Sequence, residues 1–410
     1  MRLLPPAASR LSLAATLPLA VALAVAVPAA TASATEAPQM GVGPAECVQP
    51  APHTECGAAE VSYQPASGLK SPSRPSRTTT KGSGAKGEGE TTTGSELPSA
   101  KPGDPFRFFS PASFWNTPLG DEPALDPAST PIVANFLAEI EAERNAGEDP
   151  TLNTKRWSVP LYTVPADQPT VQVEHNNGGT SRALSAAWTA VPLPPEAEPA
   201  AGSDRHLVVW QPSSDKLWEF WHLSNEGGVW SAPWGGAMEH VSTSEGVYGP
   251  SSWAGATTQW GGTASSLSLA GGLITLEDLE HGKIEHALAI GIPEVRAGVY
   301  SLPAQRTDGR SSDPLALPEG ARLRIDPSLD LTTLNLPPLA LEIARAAQEY
   351  GLIVRSIGSH VVFYGQTPPS SANPYTGKTG YFEGRDPADL LAGFPWERLQ
   401  LLQMSLRPAG

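Results

Sequence analysis

Alternating apolar and polar residues predict β-strands along most of the chain after about residue 104. Two apolar runs, 206–210 and 217–222, flank a Gln-Pro-Ser-Ser-Asp turn, which is the pattern of an antiparallel hairpin. The runs 352–354 and 361–364 lie on either side of a glycine and predict a second hairpin. With 43 prolines and 39 glycines, the chain favours short strands joined by turns over a helical bundle.

Helical spacing of apolar residues is limited to a few segments. Thr130 and Pro131 precede apolar residues at positions 133, 136, 137 and 140, so a helix capped by Thr130 is predicted there. Because strands outnumber helices, we predict a mainly β fold, an antiparallel β-sandwich with a few peripheral helices; an α+β fold is the alternative. Further helices are predicted from Pro337 to Gly351, over 275–278 by its capping-box spacing, and over 386–391.

The first 34 residues have the pattern of a signal peptide. Arg2 and Arg10 precede an apolar run, and Ala32-Ser33-Ala34 supplies the small residues that a signal peptidase reads. A retained membrane anchor is the alternative, but prolines interrupt the run before it reaches the ~20 apolar residues of a spanning helix. We therefore predict cleavage after Ala34, export to the medium or the cell surface, and no membrane insertion after cleavage.

Three further segments are predicted after the signal peptide. Residues 35–56 contain the only two cysteines, Cys47 and Cys56, which an oxidising compartment favours as a local disulfide. Residues 57–103 are mostly Ser, Thr, Pro, Gly and Lys, which is typical of a disordered linker. Residues 104–410 then form a single globular β-rich domain. Since this domain has no cysteine, cysteine nucleophiles and thiolate metal sites are excluded from it.

Charge and missing motifs narrow the classes of function. The net charge of −15 argues against nucleic acid as a partner, because binding to phosphates needs a basic surface. The chain lacks a G-x-S-x-G elbow, a Walker loop, a dinucleotide-binding G-x-G-x-x-G after a strand and an H-E-x-x-H motif. No cofactor and no metal site is therefore predicted.

Tryptophan is the most informative residue type. Seven of the 11 tryptophans lie between Trp210 and Trp260, within the region of the first hairpin. An indole face stacks on the C–H face of a sugar ring, but tryptophan is also a common core residue. Trp234 and Trp260 each precede paired glycines, and Trp221 follows a carboxylate by two positions. We predict Trp221, Trp234 and Trp260 as substrate-binding residues, with burial in the core as the alternative.

A hydrolase acting on polysaccharides needs two carboxyl groups on opposite sides of the scissile bond. Glu219 lies on the same strand face as Trp221, so a carboxylate and a stacking ring are predicted side by side. Asp308 is the second predicted catalytic carboxylate, and Glu285 is a further candidate for that role. The alternative places Glu219 on an exposed strand face without a function.

A lyase acting on uronic acids would instead use a base and an arginine. His286 is predicted as that base, or else as a core histidine bonded to a backbone carbonyl. Arg306 or Arg310 is predicted to bind a substrate carboxylate, because guanidinium matches a carboxylate bidentately. The alternative for this segment is an internal ion pair between Arg306 and Asp308.

Several runs in the chain resemble a family of secreted proteins from high-GC, actinobacterial-type bacteria. The resemblance covers the chain from about Phe114 to Tyr364 and implies an exported protein with one domain. That family has no assigned activity, so no catalytic residue follows from it. The runs that carry the resemblance are 217–221, 260–267, 271–275, 282–288, 303–309, 318–327 and the pair 350–351.

Three functions are therefore open at the level of sequence. The first is an exported carbohydrate-active protein, a hydrolase or lyase acting on a polysaccharide. The second is a non-catalytic module that binds cell-envelope glycan. The third is a structural protein with no small ligand, in which every tryptophan lies in the core.

Overall fold

The computed structural model describes residues 107–177, 181–368 and 373–410. The predicted signal peptide, Cys47 and Cys56, and the predicted linker lie outside these residues. The described residues include five α-helices and four short 3-10 helices. The α-helices are α1 (Ser129–Asn145), α2 (Arg182–Ala187), α3 (Leu276–His281), α4 (Pro338–Glu349) and α5 (Pro387–Leu390). The 3-10 helices span Pro212–Ser214, Val241–Thr243, Leu331–Leu334 and Trp396–Arg398.

Strands predominate, as predicted for a mainly β fold. They are β1 (Thr151–Asn153), β2 (Val159–Thr163), β3 (Val173–His175), β4 (Leu207–Gln211), β5 (Lys216–Trp221), β6 (Ser224–Glu226), β7 (Val229–Ala232), β8 (Trp234–Glu239), β9 (Leu288–Ile292), β10 (Val299–Ser301), β11 (Arg322–Ile325), β12 (Leu352–Ile357), β13 (Val362–Tyr364), β14 (Gln366–Thr367), β15 (Leu399–Leu401) and β16 (Leu406–Pro408).

These strands form two large sheets and two small ones. The six-stranded sheet has the order β1-β13-β9-β12-β11-β15, and the five-stranded sheet has the order β14-β2-β4-β5-β8. Strands β3, β7 and β6 form a three-stranded sheet, while β10 and β16 form a two-stranded one. In the described part of the chain, no helix is long and apolar enough to cross a bilayer.

The prediction of a purely antiparallel sandwich is wrong, because the sheets are mixed. Parallel pairs join β1 to β13, β12 to β9, β14 to β2, β2 to β4, and β3 to β7. The first predicted hairpin is confirmed, since β4 and β5 pair antiparallel over five residues each. The second is wrong: β12 and β13 each pair with β9, from opposite sides. Strand β9 is buried along its whole length, so both of its edges require hydrogen-bonding partners.

The predicted helices agree more closely with the structure than the predicted strand pairings do. The capping box is present at α3, where the Thr275 side chain and the Asp278 side chain each bind the other's backbone N–H. Helix α4 begins at Pro338, as predicted, and Gly351 follows it at φ +87°. Helix α1 begins at Ser129 without a side-chain cap, so the predicted role of Thr130 as its cap is wrong.

The six-stranded sheet separates two hydrophobic cores. On one face, Leu288, Ile290 and Ile292 of β9 pack in the core that includes the apolar side chains of α1 and α4. On the other face, Ala287 and Ala289 belong to the core around the five-stranded sheet. The small residues on this second face leave room for a buried segment, residues 260–275, that contacts both sheets.

Candidate functional site

Three strand ends meet at one end of the five-stranded sheet. Strand β4 begins here after Asp204 and His206, β5 ends at Trp221, and β8 begins at Trp234. Because neighbouring antiparallel strands run in opposite directions, the end of β5 lies beside the starts of β4 and β8. Trp221 and Trp234 are register partners, and the Asp204 carbonyl accepts a hydrogen bond from the His222 N–H at 2.7 Å.

Hydrogen bonds from Arg306 join the segment 305–310 to the residues that precede and follow Gly262. Its Nε donates to the Ser266 hydroxyl at 2.7 Å, and its Nη2 donates to the Thr263 carbonyl at 2.6 Å. The same stretch of chain reaches β8, where the Gly261 N–H donates to the Gly235 carbonyl at 2.9 Å. Arg306 therefore holds neighbouring backbone in place, which leaves little of its guanidinium for a substrate.

Asp308, two residues after Arg306, is an incompletely hydrogen-bonded acidic group. Its Oδ1 atom is buried and has no hydrogen-bond partner among the described residues. No ion pair within 4.0 Å joins Asp308 to Arg306 in the described part of the chain, so the predicted internal ion pair is absent there. Burial raises the pKa of Asp308, and the charges of Arg310 and Arg306 offset part of that rise.

Glu319 lies behind Asp308 and is fully buried. Its Oε2 accepts a hydrogen bond from the Asp308 N–H at 3.3 Å, while its Oε1 has no partner within the described ranges. Burial raises the pKa of Glu319 well above its ordinary value, and the charge of Asp308 adds to this rise. Both carboxyl groups are therefore biased toward the protonated, neutral form.

His206 and Asp204 complete the set of titratable groups. His206 is buried, and its Nε2 lies 3.1 Å from the Gly262 carbonyl, so this nitrogen carries the proton. Its Nδ1 has no partner in the described residues. Burial lowers the pKa of His206 to about 4, so the ring is neutral around neutral pH. The negative charge of Asp204 favours the protonated forms of His206, His222 and Asp308.

The three predicted tryptophans differ in exposure. Trp221 is half-buried and packs on His222 with ring centroids 4.1 Å apart, and its Nε1 has no partner among the described residues. Trp234 is half-buried, and its Nε1 donates to the Gln259 carbonyl at 3.0 Å. Trp260 is completely buried, so it takes the core role and has no surface for a ligand.

Glu219 faces the buried segment 260–275 rather than solvent. Its carboxylate accepts hydrogen bonds from the Gly262 N–H at 2.6 Å, the Leu269 N–H at 2.9 Å and the Ser268 hydroxyl at 2.7 Å. Burial raises the pKa of Glu219, and these hydrogen bonds offset part of the rise. The exposed position that was the alternative for Glu219 is wrong, since the residue is fully buried.

His286 lies apart from Asp308, against α3. Its Nδ1 contacts the Ala287 carbonyl at 2.9 Å and its Nε2 contacts the Asp278 carboxylate at 3.2 Å. Both contacts are with oxygen atoms that can accept hydrogen bonds, which favours the doubly protonated form of the ring. Burial alone would lower the pKa of His286, but the charge and hydrogen bond of Asp278 raise it overall. The adjoining cavity has a volume of about 10 Å³, room for about one water molecule.

Glu285 is also paired with neighbouring basic side chains. It forms ion pairs with Arg107 and Lys283, and these outweigh the effect of burial, so the pKa of Glu285 is lowered. Among the described residues, neither Glu285 nor His286 shares a hydrogen-bond partner with Asp308. The structure thus brings Asp308, Arg306, Trp221 and Trp234 to one end of the sheet and leaves the His286 cluster elsewhere.

A larger cavity of about 580 Å³ lies between the end of α3 and the start of α4. Its lining is mainly apolar, with Leu279, Ile284 and Leu339 among the residues that form it. Two acids on its lining are already paired, Glu342 with Arg345 and Glu383 with Arg385. It contains none of the unsatisfied polar groups found around Asp308.

Sequence reasoning missed Asp204, His206 and Glu319. The available signal was the run Ser203-Asp204-Arg205-His206 directly before an apolar strand, because polar residues at strand ends often form sites. Within the described ranges, no group of three or more histidine or acidic side chains is arranged to bind a metal ion. No protein-family model, curated protein or solved structure matches this chain, so the resemblance drawn from the sequence stays a prediction.

Proposed function

We propose that this protein is an exported carbohydrate-active enzyme that cleaves a polysaccharide at the site around Asp308, Asp204 and Trp221. The observation that carries the proposal is the buried Oδ1 of Asp308, which has no hydrogen-bond partner among the described residues and lies two residues from Arg306, the side chain that binds Ser266 and Thr263. Native proteins seldom leave a buried carboxyl oxygen unpaired unless a ligand or water binds it. Half-buried indoles nearby are suited to stack on a sugar ring.

The two carboxyl groups differ in the way that glycoside hydrolysis requires. Burial raises the pKa of Asp308, which is the direction that a group donating a proton to the leaving oxygen requires. Asp204 is half-exposed in the segment just before β4, where it would act as the base or nucleophile. Glu319 positions Asp308 by accepting its backbone N–H.

Hydrolysis is favoured over elimination by the state of the predicted base. A lyase needs a histidine free to accept a proton, and both nitrogens of His286 already donate to Ala287 and Asp278. The role of Glu219 as a catalytic carboxylate is replaced by Asp204, because the Glu219 oxygens already accept hydrogen bonds from three protein groups.

The test is a screen of the purified full chain against neutral polysaccharides, uronic-acid polysaccharides and bacterial envelope glycans. We expect new reducing ends with one of them, and their loss in Asp308→Asn. Asp313→Asn is the matched control, since Asp313 is exposed on the same stretch of chain and its carboxylate accepts a hydrogen bond from the Leu315 N–H.

Other outcomes of the screen would overturn the proposal. Reducing ends together with the ultraviolet absorbance of an unsaturated uronate would make the protein a lyase. Retention on one glycan without cleavage would make it a binding module. No cleavage and no retention on any glycan would leave the structural protein.

A further inference from the structure

A basic, aromatic surface adjoins the proposed site. We call it the basic rim and define it as Lys155, Arg156, Trp157 and Arg205. All four side chains are exposed. An isolated bridge pairs Arg156 with Ala201, which brings this surface against the segment that carries Asp204.

Trp157 is connected to the proposed base through one serine. Its Nε1 donates to the Ser203 hydroxyl at 3.1 Å, and that hydroxyl donates to Asp204 Oδ1 at 3.3 Å. The indole and the Asp204 carboxylate are therefore separated by a single side chain. A sugar stacked on Trp157 would lie next to a sugar held at Asp204.

Trp157 is exposed and conformationally strained. It is 42% exposed, and its φ of +48° lies in the left-handed region that bulky residues rarely adopt. Gly202 lies directly against the indole, since a Cβ at this glycine would be 2.7 Å from the Trp157 Nε1. Strain that fixes an aromatic ring at the surface is typical of binding sites.

The charge of the rim is opposite to the charge of the protein. The chain carries a net charge of −15, yet Lys155, Arg156 and Arg205 cluster at this end of the sheet. No ion pair within 4.0 Å joins any of these three to a carboxylate in the described ranges. The Arg156 guanidinium lies 4.6 Å from the centre of the indole, and the Arg205 Nε is fixed by the Leu223 carbonyl at 2.8 Å.

We propose that the substrate is an anionic polysaccharide, and that one of its acidic sugars stacks on Trp157 with its carboxylate between Arg156 and Arg205. This inference rests on the proposed function, because it names the substrate of the same site. Guanidinium groups match carboxylates in geometry and charge, and an indole supplies the apolar face that a sugar ring needs. A neutral polysaccharide would leave the three cations of the rim without a partner.

The test compares one polymer in two charge states. A hexuronic-acid homopolymer that the full chain cleaves is reduced at its carboxyl groups to give the neutral polymer of the same linkage. We expect kcat/KM to be about tenfold lower on the neutral polymer, and about tenfold lower on the acidic polymer in Lys155→Gln/Arg156→Gln. Trp157→Ala should raise KM for both polymers. Arg345→Gln, an exposed arginine on α4, is the matched control and should behave as the wild type.

The outcomes separate this inference from the proposed function. Equal cleavage of the acidic and neutral polymers, or cleavage of neutral polysaccharides alone, would overturn the anionic substrate and leave the enzyme intact. Cleavage of the acidic polymer that the double variant does not weaken would also overturn the role of the rim. Retention of acidic polymers by the rim with no cleavage of any polysaccharide would overturn the enzyme instead.

Discussion

Two buried polar pairs in this molecule each contain an aspartate but differ in how completely their hydrogen bonds are formed. In the pair Asp278–His286, each ring nitrogen contacts an acceptor, and the carboxylate also receives the Thr275 N–H and hydroxyl. In the pair Asp308–Glu319, each carboxyl group has one buried oxygen without a partner among the described residues. The first pair lies against the start of α3, and the second joins the segment 305–310 to Glu319.

The completeness of its hydrogen bonds distinguishes a structural from a functional role of a buried polar group better than its residue type does. A buried polar group whose partners all come from the protein stabilises the fold, whereas one with an unmet atom needs a partner from outside. The sequence predicts His286 as a catalytic base. The structure makes its pair with Asp278 the saturated one.

Asp308→Asn should have the largest effect of these variants. It tests whether the incompletely hydrogen-bonded pair, Asp308–Glu319, has a functional role. We expect activity on the cleaved polysaccharide to fall roughly 10³-fold, because removal of a general acid costs about 10² to 10⁴ in rate. Thermal unfolding should change little, since Asn replaces a carboxyl that holds no ion pair within 4.0 Å in the described residues. A variant that unfolds while Asp313→Asn does not would place Asp308 on the structural side.

Glu219→Gln should give the next largest effect, on stability. The amide would present an N–H₂ to a site built from three donors, two backbone N–H groups and the Ser268 hydroxyl. We expect the free energy of unfolding to fall by about 3 kcal/mol, as for other buried hydrogen-bonded charges. Urea unfolding measures this, with Glu226→Gln on β6 as an exposed control. Unchanged stability with lost activity would return Glu219 to the catalytic role.

Asp278→Asn tests the saturated pair directly. It removes the charge that offsets the burial of His286, so the pKa of His286 should fall below its ordinary value. The free energy of unfolding should fall by about 2 kcal/mol, because the capping box of α3 is weakened as well. Titration of the His286 ring by NMR and urea unfolding give the two measurements. A His286 pKa that stays raised would show that Asp278 is not its cause.

The pH dependence of stability should have the smallest effect and should differ between the two pairs. His286 has a raised pKa, so its stabilising contribution is complete below its ordinary value of 6.5 and is lost as pH rises through the folded value. Asp308 and Glu319 also have raised pKa values, so their contribution is lost as pH rises from their ordinary values of 3.8 and 4.5 through the folded ones.

Urea unfolding at intervals from ~pH 4 to ~pH 9 distinguishes the two windows. His286→Gln should flatten the decline at the alkaline side, and Asp308→Asn should flatten the decline that begins on the acid side. If both variants keep the wild-type profile, neither pair carries the pH dependence. Since the exposed control Glu226→Gln on β6 lies outside both pairs, its profile should follow the wild type.

Local sequence patterns predicted several secondary-structure elements. They could not predict which residues distant in the sequence contact each other. The β4–β5 hairpin, the capping box of α3 and the alternating faces of β9 all follow from neighbours within a few positions. The pairing of β12 and β13 with β9 does not, because it depends on which strands reach the buried centre of the sheet. For the same reason, local patterns could not predict the buried position of Glu219, because its three hydrogen-bond donors lie 43 to 50 positions further along the chain.

The buried segment 260–275 has a consequence for the dynamics of the molecule. It contains almost no regular secondary structure, yet every residue but Ala264 is buried. Glu219 from the five-stranded sheet binds two of its amides, and Arg355 from the six-stranded sheet binds the Leu269 carbonyl at 3.0 Å. The amide hydrogens of Gly262 and Leu269 should therefore exchange with solvent as slowly as those of the central strands. They become accessible only when the two sheets separate, so their exchange should report global unfolding rather than loop motion.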